Sequence, residues 1–297
     1  MKIIFKNILF VPFYILNFLA WIYSKLLSVV KPHLGYYWLD SQAEKNRNLA
    51  QTVTHTLNDG SELKLFFYTP NWVCRFRAES FSTKEPETLE WIDKYGGNGS
   101  LFDIGANVGL YSIYYAATKK SNVYAFEPSV FNLALLTKNI FSNDLQSYIK
   151  IISNPLTENN QFAEFILSNT DEGGALSSFG VDFGGDGQPI INSLSYKTLG
   201  FSLDFLISNK LITEFPKMIK IDVDGIEHLI LAGAKETLKN ALCKTVLIEI
   251  NDKFDTQSNS TFKTLSECGF VLQEKRHIEM FSSGKFSNTF NQIWIKP

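Results

Sequence analysis

Two carboxylates and two glycines between residues 103 and 127 stand where they could hold a charged nucleoside. Asp103 lies in the apolar run Leu101–Ile104, Gly105 and Gly109 bracket a short turn, and a second apolar run, Val123–Phe126, ends in Glu127. A glycine turn between a strand and a helix lets backbone approach a ligand closely, and an acid at the next strand tip, roughly 20 residues on, can accept both ribose hydroxyls. The spacing is Asp-x-Gly-x-x-x-Gly, so the three-glycine fingerprint that brings backbone against a pyrophosphate is missing. An acid before the first glycine suits a ligand with a cationic amine and a ribose. That describes S-adenosylmethionine better than a nicotinamide dinucleotide.

A second set of acids closes the apolar run Met218–Val223, where Asp222 and Asp224 precede Glu227 and His228. A base within hydrogen-bond reach of an acceptor hydroxyl can take its proton as a group transfers, and His228 has the intrinsic pKa range for that role. Asp222, Asp224 and His228 are the candidate catalytic residues. Asp222, Asp224, Glu249 and Asn251 would also gather oxygen donors at two adjacent strand tips. Their spacing is not diagnostic of a divalent cation, and no metal is expected.

These residues meet only if the runs that carry them are neighbouring strands. The pattern predicts strands at Leu101–Ile104, Val123–Phe126, Tyr148–Ser153, Met218–Val223 and Thr245–Ile250, separated by helices over 108–118, 129–142 and 226–240. A helix over 258–268 and strands at Phe270–Gln273 and Gln292–Lys296 complete the series. Such alternation gives a doubly wound α/β fold, a mostly parallel sheet with helices on both faces, whose ligands lie beyond the carboxyl ends of the strands. An insertion interrupts it, with strands Phe162–Ser168 and Ser193–Leu199 flanking a glycine-rich stretch. Asp171–Ser178 within that stretch reads as a mobile lid over the acceptor. Ahead of the main domain, Asn58-Asp59-Gly60 predicts a hairpin between Thr52–His55 and Leu63–Tyr68. Pro70-Asn71 predicts a turn into a strand at Val73–Phe76, and Pro86 opens a helix.

Four motifs in order, Lys84-Glu85-Pro86-Glu87-Thr88-Leu89, Asp103-Ile104-Gly105-Ala106-Asn107-Val108-Gly109, Val123-Tyr124-Ala125-Phe126-Glu127-Pro128 and Lys220-Ile221-Asp222-Val223-Asp224-Gly225-Ile226-Glu227, resemble the FkbM-type family of S-adenosylmethionine-dependent methyltransferases. The resemblance covers roughly residues 52–252, and it departs from the family's usual form at Asp224, where a glutamate is customary. It implies a seven-stranded Rossmann-like methyltransferase sheet with S-adenosyl-L-methionine as methyl donor. It also implies O-methylation of a hydroxyl on a sugar, glycolipid or small natural product. Asp103 and Gly105 would then touch the methionine part of the donor, Asn107 its carboxylate end, and Glu127 the ribose. Ser129 and Asn132 would border the adenine, with Asn154 an adenine contact by position. Glu85, Ala106, Gly109, Pro128 and Asp222 complete the donor-contacting set.

At 297 residues, 45% hydrophobic and 20% charged, the chain has the composition of an ordinary folded protein. A net charge of −2 sets up no field for nucleic acid. The Pro-Pro-aromatic run of base aminomethylation and a Pro-Cys nucleophile are also missing, so a small-molecule or glycan acceptor is expected and nucleic acid is not. Cys74, Cys243 and Cys268 form no metal or disulfide pattern and fit a reducing, cytoplasmic setting. Residues 1–30 read as an apolar helix and candidate membrane anchor, uncharged between Lys6 and Lys25 and carrying Tyr14, Trp21 and Tyr23. Interfacial binding, a true span and packing onto the globular part are its alternatives. Residues 31–83 read as a connector and small β unit, and 84–297 as the methyltransferase domain. The competing readings are a non-catalytic cofactor-binding protein of the same fold and a nicotinamide-dependent oxidoreductase.

Overall fold

The computed structural model describes residues 2–31, 33–191, 194–277 and 287–297, in two compact units, Met1–Ala50 and Gln51–Pro297. The first holds α1 (Lys2–Val30) and α2 (Leu34–Arg47). From Val11 onward α1 exposes large apolar side chains almost all round, while Ser24 is buried.

The second unit opens with a hairpin of β1 (Ala50–Thr56) and β2 (Glu62–Tyr68), turning through Gly60 in the left-handed region. Where a strand was expected at Val73–Phe76, the chain forms a helix, α3 (Trp72–Glu79). The Asn71 side chain accepts a hydrogen bond from Cys74 N–H and caps this helix, so a residue read as a turn is an N-cap. Cys74 and Ala78 then fall on its buried face. Helix α4 (Pro86–Tyr95) starts at Pro86 as predicted and buries Leu89, Trp91 and Ile92; the Trp91 indole donates to Thr245 Oγ1 at 2.8 Å.

The main alternation follows as β3 (Ser100–Ile104), α5 (Leu110–Lys119), β4 (Val123–Phe126), α6 (Val130–Ser142) and β5 (Ile149–Ile152). Every residue of β3 and β4 is buried, as in strands covered on both faces. The insertion is a three-stranded antiparallel sheet with β6 (Gln161–Leu167) between β7 (Ser177–Phe179) and β8 (Leu194–Gly200). Ser193, expected to begin that last strand, lies outside the described residues. The chain continues through α7 (Leu203–Ser208), β9 (Pro216–Ile221), α8 (Glu227–Ala232), α9 (Lys235–Lys239), β10 (Thr245–Asn251), α10 (Asp255–Glu267), β11 (Val271–His277) and β12 (Thr289–Ile295). The helix expected over 226–240 is broken at Gly233, where a Cβ would stand 2.3 Å from the Thr157 carbonyl oxygen. Strand β7 and helix α7 had no clear periodic signal.

The seven-stranded sheet runs β11-β12-β10-β9-β3-β4-β5, parallel except for β12, which pairs antiparallel with both neighbours. Alternate residues feed two cores. Phe102, Ile104, Ile219 and Ile221 lie on one face, and Leu101, Ala125, Met218 and Leu247 on the other. Crossovers leave β3 in one direction and reach β9 on its other side, so strand order switches between β3 and β9, where a ligand crevice opens. At that point the Asp222 amide donates to the Ile104 carbonyl, and the two backbones converge. A Cβ on Gly105 would stand 1.9 Å from the Asp222 carbonyl oxygen, and its φ is +86°.

Gly105→Ala should therefore lower unfolding stability by about 2–4 kcal/mol in chemical denaturation. Gly60→Ala, left-handed but with open space around it, should cost about 1–2 kcal/mol.

Candidate functional site

The turn after β3 and the tip of β4 form one hydrogen-bonded unit. Asn107, left-handed at φ 53°, donates its backbone N–H to Glu127 Oε2 at 2.8 Å, while Ser129 N–H donates to Oε1 at 2.8 Å and Asn132 Nδ2 lies 3.4 Å from the same oxygen. Burial pushes Glu127 up to about 7 against these hydrogen bonds. A crevice beside it is lined by Gly105, Asn107, Glu127, Pro128, Asn132 and Asn154, with Pro155, Leu156, Phe165 and Phe179 as apolar walls. With Asp222 and Asp224, which also line it, eight of the sequence-predicted residues come together. Ser129 contributes its backbone to Glu127, and Asn154 donates to the Leu199 carbonyl at 2.9 Å.

Gly105, Asn107 and Asp222 also line a narrow cleft on the other side of the turn, with Ala106, Arg77, Lys84, Glu85, Tyr111 and Lys220. Its two lysines are each paired with a carboxylate. Lys220 is 1% exposed and donates to Asp222 Oδ2 at 2.8 Å, and its ammonium lies 5.1 Å from the centre of the Tyr111 ring. Lys84 pairs with Glu85. Burial raises Asp222 and Glu85, yet the lysines outweigh it and hold both below the usual carboxylate range. Asp103 sits deeper: Ser112 Oγ donates to its Oδ2 at 2.6 Å, and its buried Oδ1 has no hydrogen-bond partner. Burial raises its pKa, opposed chiefly by Lys220. Gly109 caps α5 in the left-handed region, with Leu136 packed against its Cα.

Asp222 and Asp224 reach a wider cleft of about 300 Å³, which Glu249, Leu176 and Thr289 share with a neighbouring chamber of about 330 Å³. Asp224, left-handed at φ 63°, accepts from Leu176 N–H at 2.7 Å. Burial and then Asp222 push it up to about 6. Burial and the facing Asp222, Glu85 and Asp224 raise Glu249 far above its usual value. His228 is not brought to these clefts: its ring packs edge-on against Phe254, its Nδ1 has no partner, and burial lowers its pKa. Asn251 lines the neighbouring chamber, its side chain donating to Gly185 O and accepting from Lys253 N–H. Glu227 is a loop clamp, accepting from Gly225 N–H and Gln257 Nε2.

The glycine-rich segment lies across the crevice, held from both sides. Asn107 and Asn132 donate to the Gly174 carbonyl at 2.8 and 3.2 Å, and Gly173 N–H donates to Asn132 Oδ1. From α3, Asn71 donates to Glu172 O and Arg77 Nε to Gly173 O, each at 2.9 Å. The Asn107 side-chain amide, expected at the carboxylate end of a donor, is therefore bonded to the glycine-rich segment. Arg77, Lys84 and Lys220 were missed by sequence reasoning. A lysine inside the apolar run Met218–Val223 was itself a signal, because a cation in a buried strand needs partners.

Burial raises Glu227 to about 7, so the folded protein holds this proton more tightly than the unfolded chain. Its contribution to stability is fullest below the unfolded value near 4.5 and is lost as pH rises through about 7. Glu227→Gln should flatten that decline by on the order of 2–3 kcal/mol between pH 5 and 8 in denaturant titrations.

Residues 103–272, more than half of the chain, match the Methyltransferase FkbM domain. No curated protein matches. Among solved structures the fold is similar to a methyltransferase FkbM from Methylobacillus flagellatus KT (16% identity, TM-score 0.44), the likeness covering 66% of this chain and 43% of that one. It is also similar to an rRNA methylase from Streptococcus thermophilus (11% identity, TM-score 0.44, 71% and 94% covered). A third likeness is to magnesium protoporphyrin IX methyltransferase from Synechocystis PCC 6803 with bound S-adenosylmethionine (13% identity, TM-score 0.43, 76% and 85% covered). The chain thus spans less than half the length of the first of these proteins. The order of the strands, the turns at their tips and the family match lead to one assignment: the chain belongs to the FkbM methyltransferase family and has that family's S-adenosylmethionine-dependent fold.

Proposed function

We propose that the protein methylates a hydroxyl oxygen of a sugar, glycolipid or small natural product. The observation that carries this reading is the seam where the crevice beside Glu127 meets the wider clefts, because Asp222 and Asp224 line both sides of it. The residues present fit the donor. Glu127 stands at the strand tip lining the crevice, and Asp103 keeps a buried carboxyl oxygen without a partner.

S-adenosylmethionine supplies a methyl group on an electron-poor sulfonium. In this reading Glu127 accepts from the ribose hydroxyls, and Asn132, Asn154 and the apolar walls border the adenine. Asp103 and Asp222 attract the ammonium. Asp224 and Glu249 face the acceptor, and Asp224 takes the hydroxyl proton as the oxygen gains its methyl. Much of the acceleration comes from holding oxygen, carbon and sulfur in line. His228, outside the cleft lining, has no part in it. Residues 84–297 would carry the transferase fold, with 31–83 as connector and β unit.

The acceptor would be presented at the cytoplasmic face of a membrane. Val11–Val30 is long and apolar enough to cross one, with mean hydropathy 1.5, and Phe13, Tyr14, Leu16, Phe18 and Trp21 are each at least half exposed. Aromatic side chains of this kind suit the headgroup layer.

With methyl-labelled donor and a panel of neutral glycans, glycolipids and RNA, label should appear as a methyl ether on a glycan or glycolipid; label on RNA alone would contradict the reading. Turnover should rise with pH through about 6 as Asp224 loses its proton. Asp224→Asn should remove that limb and lower kcat by about 10²-fold or more with donor affinity kept. Deleting residues 1–30 should move the protein from the membrane to the soluble fraction, and unchanged partitioning would contradict the anchor.

A further inference from the structure

The methionine end of the donor carries an ammonium and a carboxylate; for the first, the narrow cleft presents Glu85 and Asp222, with Asp103 deeper behind them. Asp103, Glu85 and Asp222 would attract an ammonium and repel a carboxylate. Of the cations nearby, Lys84 is paired with Glu85 and Lys220 with Asp222. The Asn107 amide is committed to the Gly174 carbonyl.

Arg77 differs. It stands in the last turn of α3, half-buried, lining both the narrow cleft and the wider one. Its Nε donates to the Gly173 carbonyl at 2.9 Å, and no carboxylate among the described residues forms an ion pair with it. The terminal nitrogens of the guanidinium are left for a ligand, and a guanidinium fork matches a carboxylate in two parallel hydrogen bonds. Its cleft also holds Gly105 and Asn107 of the turn that opens onto the donor crevice. Arg77 precedes residues 103–272, so it lies outside the segment that matches the family.

We propose that Arg77 receives the α-carboxylate of the donor's methionine end and, through Gly173, couples donor binding to the lid. This rests on the donor placement given under Proposed function. The lid carbonyls are then gripped along the whole donor: Gly173 by Arg77 at the amino-acid end, Gly174 by Asn107 and Asn132 beside the ribose acid. An occupied Arg77 holds the lid with the charge of its ligand neutralised beside it.

Two probes separate the parts of the donor. S-adenosylhomocysteine carries the α-carboxylate; 5′-methylthioadenosine keeps the nucleoside and sulfur but lacks the amino-acid end. Calorimetric titration of the full chain with each, for the wild type and Arg77→Gln, is the test. Arg77→Gln should weaken S-adenosylhomocysteine by about ten- to a hundredfold and leave 5′-methylthioadenosine unchanged, the second result also certifying a folded nucleoside site. Arg77→Lys, which keeps the charge but loses the fork, should fall between. Equal weakening of both probes, or none, would overturn the proposal while leaving the donor site itself standing. A wild type that binds neither probe would remove the donor placement as well.

Discussion

A lysine buried in the middle of the sheet sets the conditions for everything around it. Lys220, on the strand beside β3, cannot keep its charge in that position without carboxylates. Asp222, Asp103 and Glu85 supply them, in that order of strength, and the surplus of negative charge raises the lysine's pKa despite burial. The arrangement orients Asp222 at the strand tip and draws Glu85 to the start of α4. It also leaves Asp103 partly satisfied, with one oxygen bonded to Ser112 and one free. Among the described residues no group of three His, Cys, Asp or Glu side chains converges to hold a metal ion.

Around that centre the fold brings three turns together at the carboxyl ends of β3, β4 and β9. Each contains a residue with positive φ or a carboxylate that collects backbone amides, as Glu127 does for Asn107 and Ser129 and Glu227 for Gly225. Such carboxylates stiffen a loop while remaining able to exchange partners with a ligand. The glycine-rich segment uses the same chemistry in reverse, offering carbonyls to side-chain amides and to Arg77. Its glycines allow the close approach: a Cβ on Gly173 would stand 2.8 Å from Cys74 Sγ, and one on Gly174 2.7 Å from the Asn169 side chain.

Much of this was legible in the sequence because burial on both faces leaves a strong mark. Short runs of mostly apolar residues such as Leu101–Ile104 and Val123–Phe126, bounded by glycines and polar residues, read as interior strands, and at their tips polar residues resume. Glu127, Asp222 and Asp224 were found for that reason. Short elements were harder. A three-strand insertion with β7 only Ser177–Phe179 long gives periodicity too few residues to register, and α3 hides its apolar face behind a cap that also reads as a turn. Arg77 was invisible because its role depends on a lid some hundred residues away in sequence, a distance that no local pattern spans. His228 failed in the opposite way: its residue type fitted the chemistry, but its helix points it at Phe254 instead of the cleft.

The central claim is that the crevice at the tips of β3 and β4 is where the methyl donor binds, with Glu127 on its ribose. Calorimetric titration of the wild type and of Glu127→Ala with S-adenosylhomocysteine tests it most directly. The account predicts micromolar binding by the wild type and loss of that binding in the variant, with the variant still folded by circular dichroism. Undiminished affinity in Glu127→Ala, or no binding by a folded wild type, would contradict it.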